Sequence, residues 1–132
     1  MTQIGPEIRS GYAQSSALVA GMVLQAASEE WDRAAARRVE ENDALRALFR
    51  DARSTGENAA LAERLDEAAA GADTDLHLSA LDRSNDALRA LLIELHAHVE
   101  ELAGDAARDV ESRIWSELRR STERRALSVA PF

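Results

Sequence analysis

Residues 78–102 read LSALDRSNDALRALLIELHAHVEEL and carry the most regular pattern in the chain. Apolar residues recur there in alternating steps of three and four, which predicts a helix with an a/d seam that packs against other helices. We number this predicted third helix, at about 75–103, α3. The α3 seam consists of Leu78, Leu81, Asn85, Leu88, Leu92, Leu95, Val99, Leu102 and Ala106. Asn85 is its polar member, and it either fixes the register of a buried seam or lies at a solvated end of the bundle.

The sequence on both sides of this seam also predicts helices, because Ala, Leu, Glu and Arg dominate and the chain has only six Gly and two Pro. We expect helices at about 7–53, 55–70, 75–103 and 105–127 within one domain, 1–132. The predicted fold class is all-α, an antiparallel three- to four-helix bundle with one long N-terminal helix. At Gly104 either the third helix bends and continues to about Ala126, or a fourth helix begins at Asp105.

Short polar segments separate the predicted helices. Ser54 and Glu57 have the spacing of a capping box for the second helix, and Thr74 or Asp73 is the expected N-cap of the third. The apolar run Ala17–Leu24 is much too short to span a bilayer and is predicted to belong to a buried helix face. Since the second helix is short, we expect leftover apolar surface on its neighbours, to be covered by a dimer or a partner.

Composition excludes several classes of function. The chain has no cysteine, so it has no disulfide or thiolate metal site. A formal net charge of −8 disfavours binding to nucleic acids. These features predict a cytoplasmic protein that binds neither nucleic acid nor membrane.

Sequence patterns for catalysis are weak, so we expect neither an enzyme nor a bound cofactor. Glu94, His98 and Glu101 share one helix face and are the best candidate metal ligands. No second matching set occurs on another helix, so the prediction is no metal site and a solvated acidic strip instead. The basic residues Arg119, Arg120, Arg124 and Arg125 either complement the dipole of the last helix, dock an acidic partner or fold back onto the protein's own acidic surface.

Two tryptophans are the largest apolar side chains. Trp31 and Trp115 are each expected to pack in a core or to anchor an interface, and core packing is the more frequent fate of tryptophan.

The segment 12–49 resembles the first helix of FliT-type flagellar export chaperones. The positions that match this layout are Met22, Ala26, Ala27, Glu30, Trp31, Asp32, Arg38, Leu45 and Leu48. Residues 81–102 are similar to the third helix of that family. The resemblance implies a cytoplasmic helical chaperone that holds a filament-cap subunit before secretion and contacts the export machinery or a flagellar regulator. It also implies that the last helix, Asp105–Leu127, covers the client site in the free protein.

The resemblance implies that Val110, Ile114, Trp115 and Leu118 form the covering face. We therefore expect partner binding at these residues and at Leu92, Leu95 and Val99. We also expect the protein to be a homo-oligomer, because of the leftover apolar surface. Trp31 is the expected packing or interface anchor. The alternative function is a self-associating structural bundle without a transient client, which would form a tight dimer and leave no apolar groove.

Overall fold

The computed structural model describes residues 4–52 and 58–126, with side chains from Ser10 onward. Over these residues the chain forms four α-helices and no strand. They are α1 (Ile4–Ala52), α2 (Ala59–Ala70), α3 (Leu78–Glu101) and α4 (Asp105–Arg124). The predicted all-α class is confirmed.

The third and fourth helices are separate. α3 ends at Glu101, and Leu102 is already extended, with φ −91° and ψ 146°. Gly104 has φ 115° and ψ 172°, a backbone conformation that side-chain-bearing residues rarely adopt. A helix cannot continue through such a residue, so Gly104 selects the second of the two alternatives, a fourth helix from Asp105.

The helix starts differ from the predicted caps. Asn58 is the N-cap of α2, and its Oδ1 accepts a hydrogen bond from the Leu61 amide at 3.1 Å. The predicted Ser54–Glu57 capping box lies outside the described residues. The predicted cap of α3 is wrong, because His77 occupies the N-cap position without a side-chain bond. The carboxylate of Asp73 is bonded instead to Arg46 of α1.

The described residues fall into two compact units, a first that ends on α1 at Arg33 and a second from Ala34 to Ala126. The second unit has a core built from the end of α1 and from the other three helices. Its buried members are Leu45, Leu48, Phe49, Ala52, Leu61, Leu65, Ala69, Leu88, Leu91, Leu92, Leu95, Val99, Ala107, Val110 and Ile114. The α3 seam is thus buried from Leu81 to Val99, whereas Leu78 and Ala106 at its two ends are exposed and Leu102 is partly buried.

The described residues of the first unit form no such core. The run Ala17–Leu24 was predicted to be buried, and this prediction is wrong, because Leu18, Val23 and Leu24 are each more than 60% exposed. The physical reason is that α1 is the sole helix among the described residues of this unit. The apolar periodicity of the run is real, but nothing described in the unit covers it.

Candidate protein-binding surfaces

An exposed apolar surface of the first unit lies on α1 between Tyr12 and Trp31. Six large apolar side chains are exposed there, namely Tyr12, Leu18, Val19, Val23, Leu24 and Trp31. Single exposed apolar residues are common on protein surfaces, but contiguous groups usually mark interaction sites. This N-terminal stretch, defined as Ser10–Trp31, is therefore the first candidate surface.

The N-terminal stretch presents two apolar seams on different faces of α1. The first seam is Tyr12, Ser15, Val19, Met22 and Ala26, and the second seam is Ala13, Ala17, Ala20, Leu24, Ala27 and Trp31. Both alternate steps of three and four, the spacing by which helices pack against one another. At about 100° of rotation per residue the centres of the two seams are roughly 140° apart around the helix. Sequence reasoning missed this arrangement because it assigned the whole run to one buried face.

Charge is nearly absent from this part of α1. No residue from Ser10 to Ser28 is charged, a length of about 28 Å at about 1.5 Å per residue. The polar residues of this part are uncharged Ser and Gln, and large apolar members of both seams are exposed. Apolar faces of a helix normally pack against other helices, so this exposure indicates a surface for contact with a partner.

The second candidate surface is the contact between α3 and α4, where the sequence placed the partner-binding residues. The structure brings these residues together. Leu92, Leu95 and Val99 of α3 share one buried core with Val110 and Ile114 of α4. Leu118 packs partly buried against the same core. In the present conformation this set lies in the core of the second unit and offers no open groove along the α3 seam.

Trp115 is the exposed member of that set. Its side chain is 52% exposed. The indole meets the His96 ring edge-on, with the ring centroids 5.3 Å apart. Trp31 is 85% exposed, so it does not pack in a core as tryptophans more often do. Both tryptophans therefore remain available as interface anchors.

One of the three candidate metal ligands forms an ion pair between helices. Glu94 is exposed and pairs with Arg64 of α2, whose Nη2 donates to Oε1 at 2.9 Å. This hydrogen bond and the charge of Arg64 lower the pKa of the Glu94 carboxyl. Across the described parts of the chain, no group of three or more His, Asp or Glu side chains has the geometry to hold a metal ion.

A buried carboxylate, which the sequence did not single out, links α1, α3 and α4. Glu41 is 4% exposed, accepts a hydrogen bond from Ser121 at 3.0 Å, and accepts others from the guanidinium groups of Arg89 and Arg125. Burial raises the pKa of the Glu41 carboxyl, but the bonds from Arg125 and Ser121 and the charge of Arg89 outweigh it, so the pKa lies below its ordinary value. We refer to these four residues as the Glu41 cluster.

Two of the four basic residues at the end of α4 pair with acidic side chains of the same chain. Arg125 Nη2 donates to both carboxylate oxygens of Glu41 at 3.0 Å, while Arg124 Nη1 donates to Glu117 at 2.7 Å. At these two residues the basic end folds back onto the protein's own acidic side chains. The last turn of α4 is therefore fastened to α1 by charge-assisted hydrogen bonds.

A second buried polar group joins α1 to the segment before α3. Arg46 binds Asp73 with two bonds, of 2.7 Å and 3.1 Å. Asn42 and Ser84 donate further bonds to the same carboxylate, at 2.9 Å and 2.8 Å. The bond from Arg46 is the largest influence, and together with those from Asn42 and Ser84 it outweighs burial and lowers the pKa of Asp73 to about 2. We refer to these four residues as the Asp73 cluster.

Asn85 is buried in the α3 seam, which answers the question that its pattern left open. Its amide donates to Asn42 Oδ1 at 2.9 Å, and its Oδ1 accepts a bond from Arg38 at 3.3 Å. A polar residue in an apolar seam was the one sequence signal for these networks. Glu41 and Arg46 gave no signal, because charged residues on amphipathic helices are usually solvated, and Asp73 was predicted only as an N-cap.

Comparison with known proteins adds no relative. No protein-family model, no curated protein and no solved structure matches the chain. None of the helices in residues 4–52 and 58–126 combines the length and the apolar character that crossing a membrane requires.

Proposed function

We propose that this protein is a protein-binding helical module whose contact surface is the N-terminal stretch of α1. The observation that carries the proposal is the exposure of large apolar side chains on both seams of a helix without charge from Ser10 to Ser28. Contact between these apolar side chains and water is unfavourable, and covering them lowers the free energy in proportion to the apolar area removed from water. Binding another helix along a seam provides that cover.

Trp31 and Leu24 are the strongest individual contributors to this surface. Their side chains are 85% and 70% exposed, so nearly their whole area remains to be buried by a partner. Tryptophan is enriched at the centres of interfaces because it buries a large area at a small cost in conformational entropy. The proposal is of a binding protein, with no catalytic residue and no cofactor assigned.

The narrower proposal is a cytoplasmic export chaperone that shields a flagellar subunit, and it rests on the resemblance to FliT-type chaperones. The packing of α4 on the α3 seam is compatible with it, since a client helix could compete with α4 for Leu92, Leu95 and Val99. As part of this narrower proposal, we also propose that the four helices are arranged antiparallel. Opening would have to break the Glu41 cluster and expose Ile114, so the client must bury a comparable apolar area.

A capture experiment tests the broader proposal. The bait is the purified full-length protein, and the variant carries Val19→Asp and Leu24→Asp, one charge on each seam. Ile93→Asp is the matched control, because Ile93 is as exposed as Leu24, at 70%, but lies on α3. We expect the same partner to bind the wild type and the control and to be lost with the double variant. Equal capture by all three proteins would refute the stretch as the contact surface.

The chaperone proposal needs its own experiment, with a version of the chain that ends at Ala103. If α4 covers a client site, this version should capture a secreted subunit with an apolar tail more strongly than the full chain does. If the shortened chain aggregates and captures nothing, the α3 seam is purely core. The chaperone proposal then fails, while the N-terminal stretch remains open to test.

A further inference from the structure

We propose that the occupant of the first seam is a second copy of this chain, and that the two α1 helices pack antiparallel about a twofold axis between Val19 and Met22. The inference rests on the proposed function, because it names the partner of the same surface. The charge distribution along α1 favours one orientation of a second copy over the other.

The charges that flank the uncharged part of α1 differ at its two ends. On the N-terminal side the nearest charge is Arg9, with Glu7 two residues before it, whereas residues 29–32 contain Glu29, Glu30 and Asp32. Arg33 pairs with Glu29 at 2.9 Å, and the formal net charge of residues 29–33 is −2. The C-terminal side is therefore net acidic, and the N-terminal side is not.

This asymmetry selects the antiparallel orientation. In an antiparallel pair the acidic end of each helix lies far from that of its partner and is level with the partner's Arg9 position. In a parallel pair the acidic residues of both copies would lie side by side, and so would the two arginines. Like charges in such positions oppose association, and the uncharged middle of the helix adds nothing that favours the parallel form.

The first seam also defines a register. Antiparallel helices align an a position with a d position of the partner, and in this seam Val19 then lies beside the partner's Met22. One layer further out Ser15 lies beside the partner's Ala26. The larger side chains thus fill the centre of the contact, and the small ones let the two backbones approach on either side of it.

The size of the contact predicts its strength. The first seam, from Tyr12 to Ala26, is about 22 Å long on a helix about 10–12 Å wide. The area it offers is small beside the roughly 800 Å² that each partner buries in a standard stable interface. We therefore expect a reversible dimer that dissociates on dilution. The second seam, which includes Leu24 and Trp31, stays open in this dimer.

The first test is the mass in solution of the full chain as a function of concentration, by light scattering or sedimentation. Wild type is expected to shift from monomer to dimer as concentration rises. Val19→Asp places a charge in the contact and should weaken association by roughly tenfold or more. Leu24→Asp places the same charge on the second seam and should leave association unchanged. Circular dichroism checks that both variants are as helical as wild type.

The second test is disulfide cross-linking, which is clean because the chain has no cysteine of its own. Ser15→Cys and Ala26→Cys are made as two single variants, each of which replaces a small side chain. In the proposed register neither variant should form a disulfide dimer alone, whereas a mixture of the two should form it readily under mild oxidation. A parallel pair would give the reverse, with each variant cross-linking to itself.

Several outcomes overturn the inference. The inference fails if the wild-type chain remains monomeric at all concentrations. It also fails if Ser15→Cys cross-links to itself, or if Val19→Asp and Leu24→Asp weaken dimerisation equally. A version ending at Ala126 that dimerises when the full chain does not would name the C-terminal segment as the occupant instead. The proposed function survives a monomeric wild type as long as the double variant still loses a captured partner, so the two failures are distinguishable.

Discussion

Replacing Asp73 by Asn should destabilise the second unit by about 2–3 kcal/mol at neutral pH. The carboxylate is 6% exposed and holds Arg46, which is itself buried, through two bonds. A fall in pKa from 3.8 in the unfolded chain to about 2 corresponds to about 2.4 kcal/mol of stability at pH 7. Loss of the charge also leaves the Arg46 guanidinium without its main counterion, which adds to the cost.

The pH dependence of this loss has a definite sign. A carboxyl whose pKa is lower in the folded protein stabilises the fold fully above its unfolded pKa, and the effect disappears as the pH falls through the folded pKa. For Asp73 this window runs from about 5 down to about 2. At pH 3 about half of the stabilisation should remain, so the difference between wild type and variant should shrink to roughly 1 kcal/mol.

Urea unfolding followed by circular dichroism at pH 7 and at pH 3 measures both quantities. The matched control is Asp43→Asn, because Asp43 pairs with the same guanidinium at 3.3 Å but is 69% exposed. Its loss should be below about 0.5 kcal/mol. A change of less than about 0.5 kcal/mol for Asp73→Asn at pH 7, or a loss of the same size at both pH values, would refute the reasoning.

Three further predictions concern stability by urea unfolding. Ile114→Ala removes a core side chain with 0% exposure and should cost about 2–4 kcal/mol, whereas Trp31→Ala should cost less than about 0.5 kcal/mol; equal losses would contradict the burial pattern. Asn85→Ala leaves the Asn42 carbonyl oxygen buried without its donor and should lower the free energy of unfolding by about 1–3 kcal/mol. The loss in a double variant with Asn42→Ala should differ from the sum of the two single losses. Gly104→Ala forces a side chain into φ 115° and should cost about 1–2 kcal/mol even though the added carbon meets no other atom; an unchanged midpoint would show that the link between α3 and α4 does not need this conformation.

Part of this architecture followed from local pattern. The alternating three- and four-residue steps from Leu81 to Val99 require no knowledge of the neighbouring helices, because helical periodicity places those side chains on one face. A break near Gly104 followed in the same way, but the sequence left open whether the third helix bends there or ends, and the φ of 115° at Gly104 decided it. The N-cap of α3 did not follow from local pattern, because Asp73, a predicted cap, is bonded to Arg46 of α1 instead.

The apolar pattern of α1 could not distinguish burial from exposure. Val19 and Leu48 belong to equally regular apolar stretches, yet Val19 is half exposed and Leu48 is buried. Periodicity reports which face is apolar, and only the position of other helices decides whether that face meets protein or water. The exposed N-terminal stretch, which carries the proposed function, was therefore visible in sequence only as surplus apolar surface.

By itself the sequence determined the all-α class, the α3 seam and the absence of charge from Ser10 to Ser28, since each depends on neighbouring residues along one helix. Only the tertiary structure decided that Glu41 gathers arginines from α3 and from the end of α4, and that Asp73 neutralises Arg46. The physical reason is that a charged side chain on an amphipathic helix is ordinarily solvated. Its burial depends on a counterion from a distant part of the chain, and that meeting is set by how the helices pack.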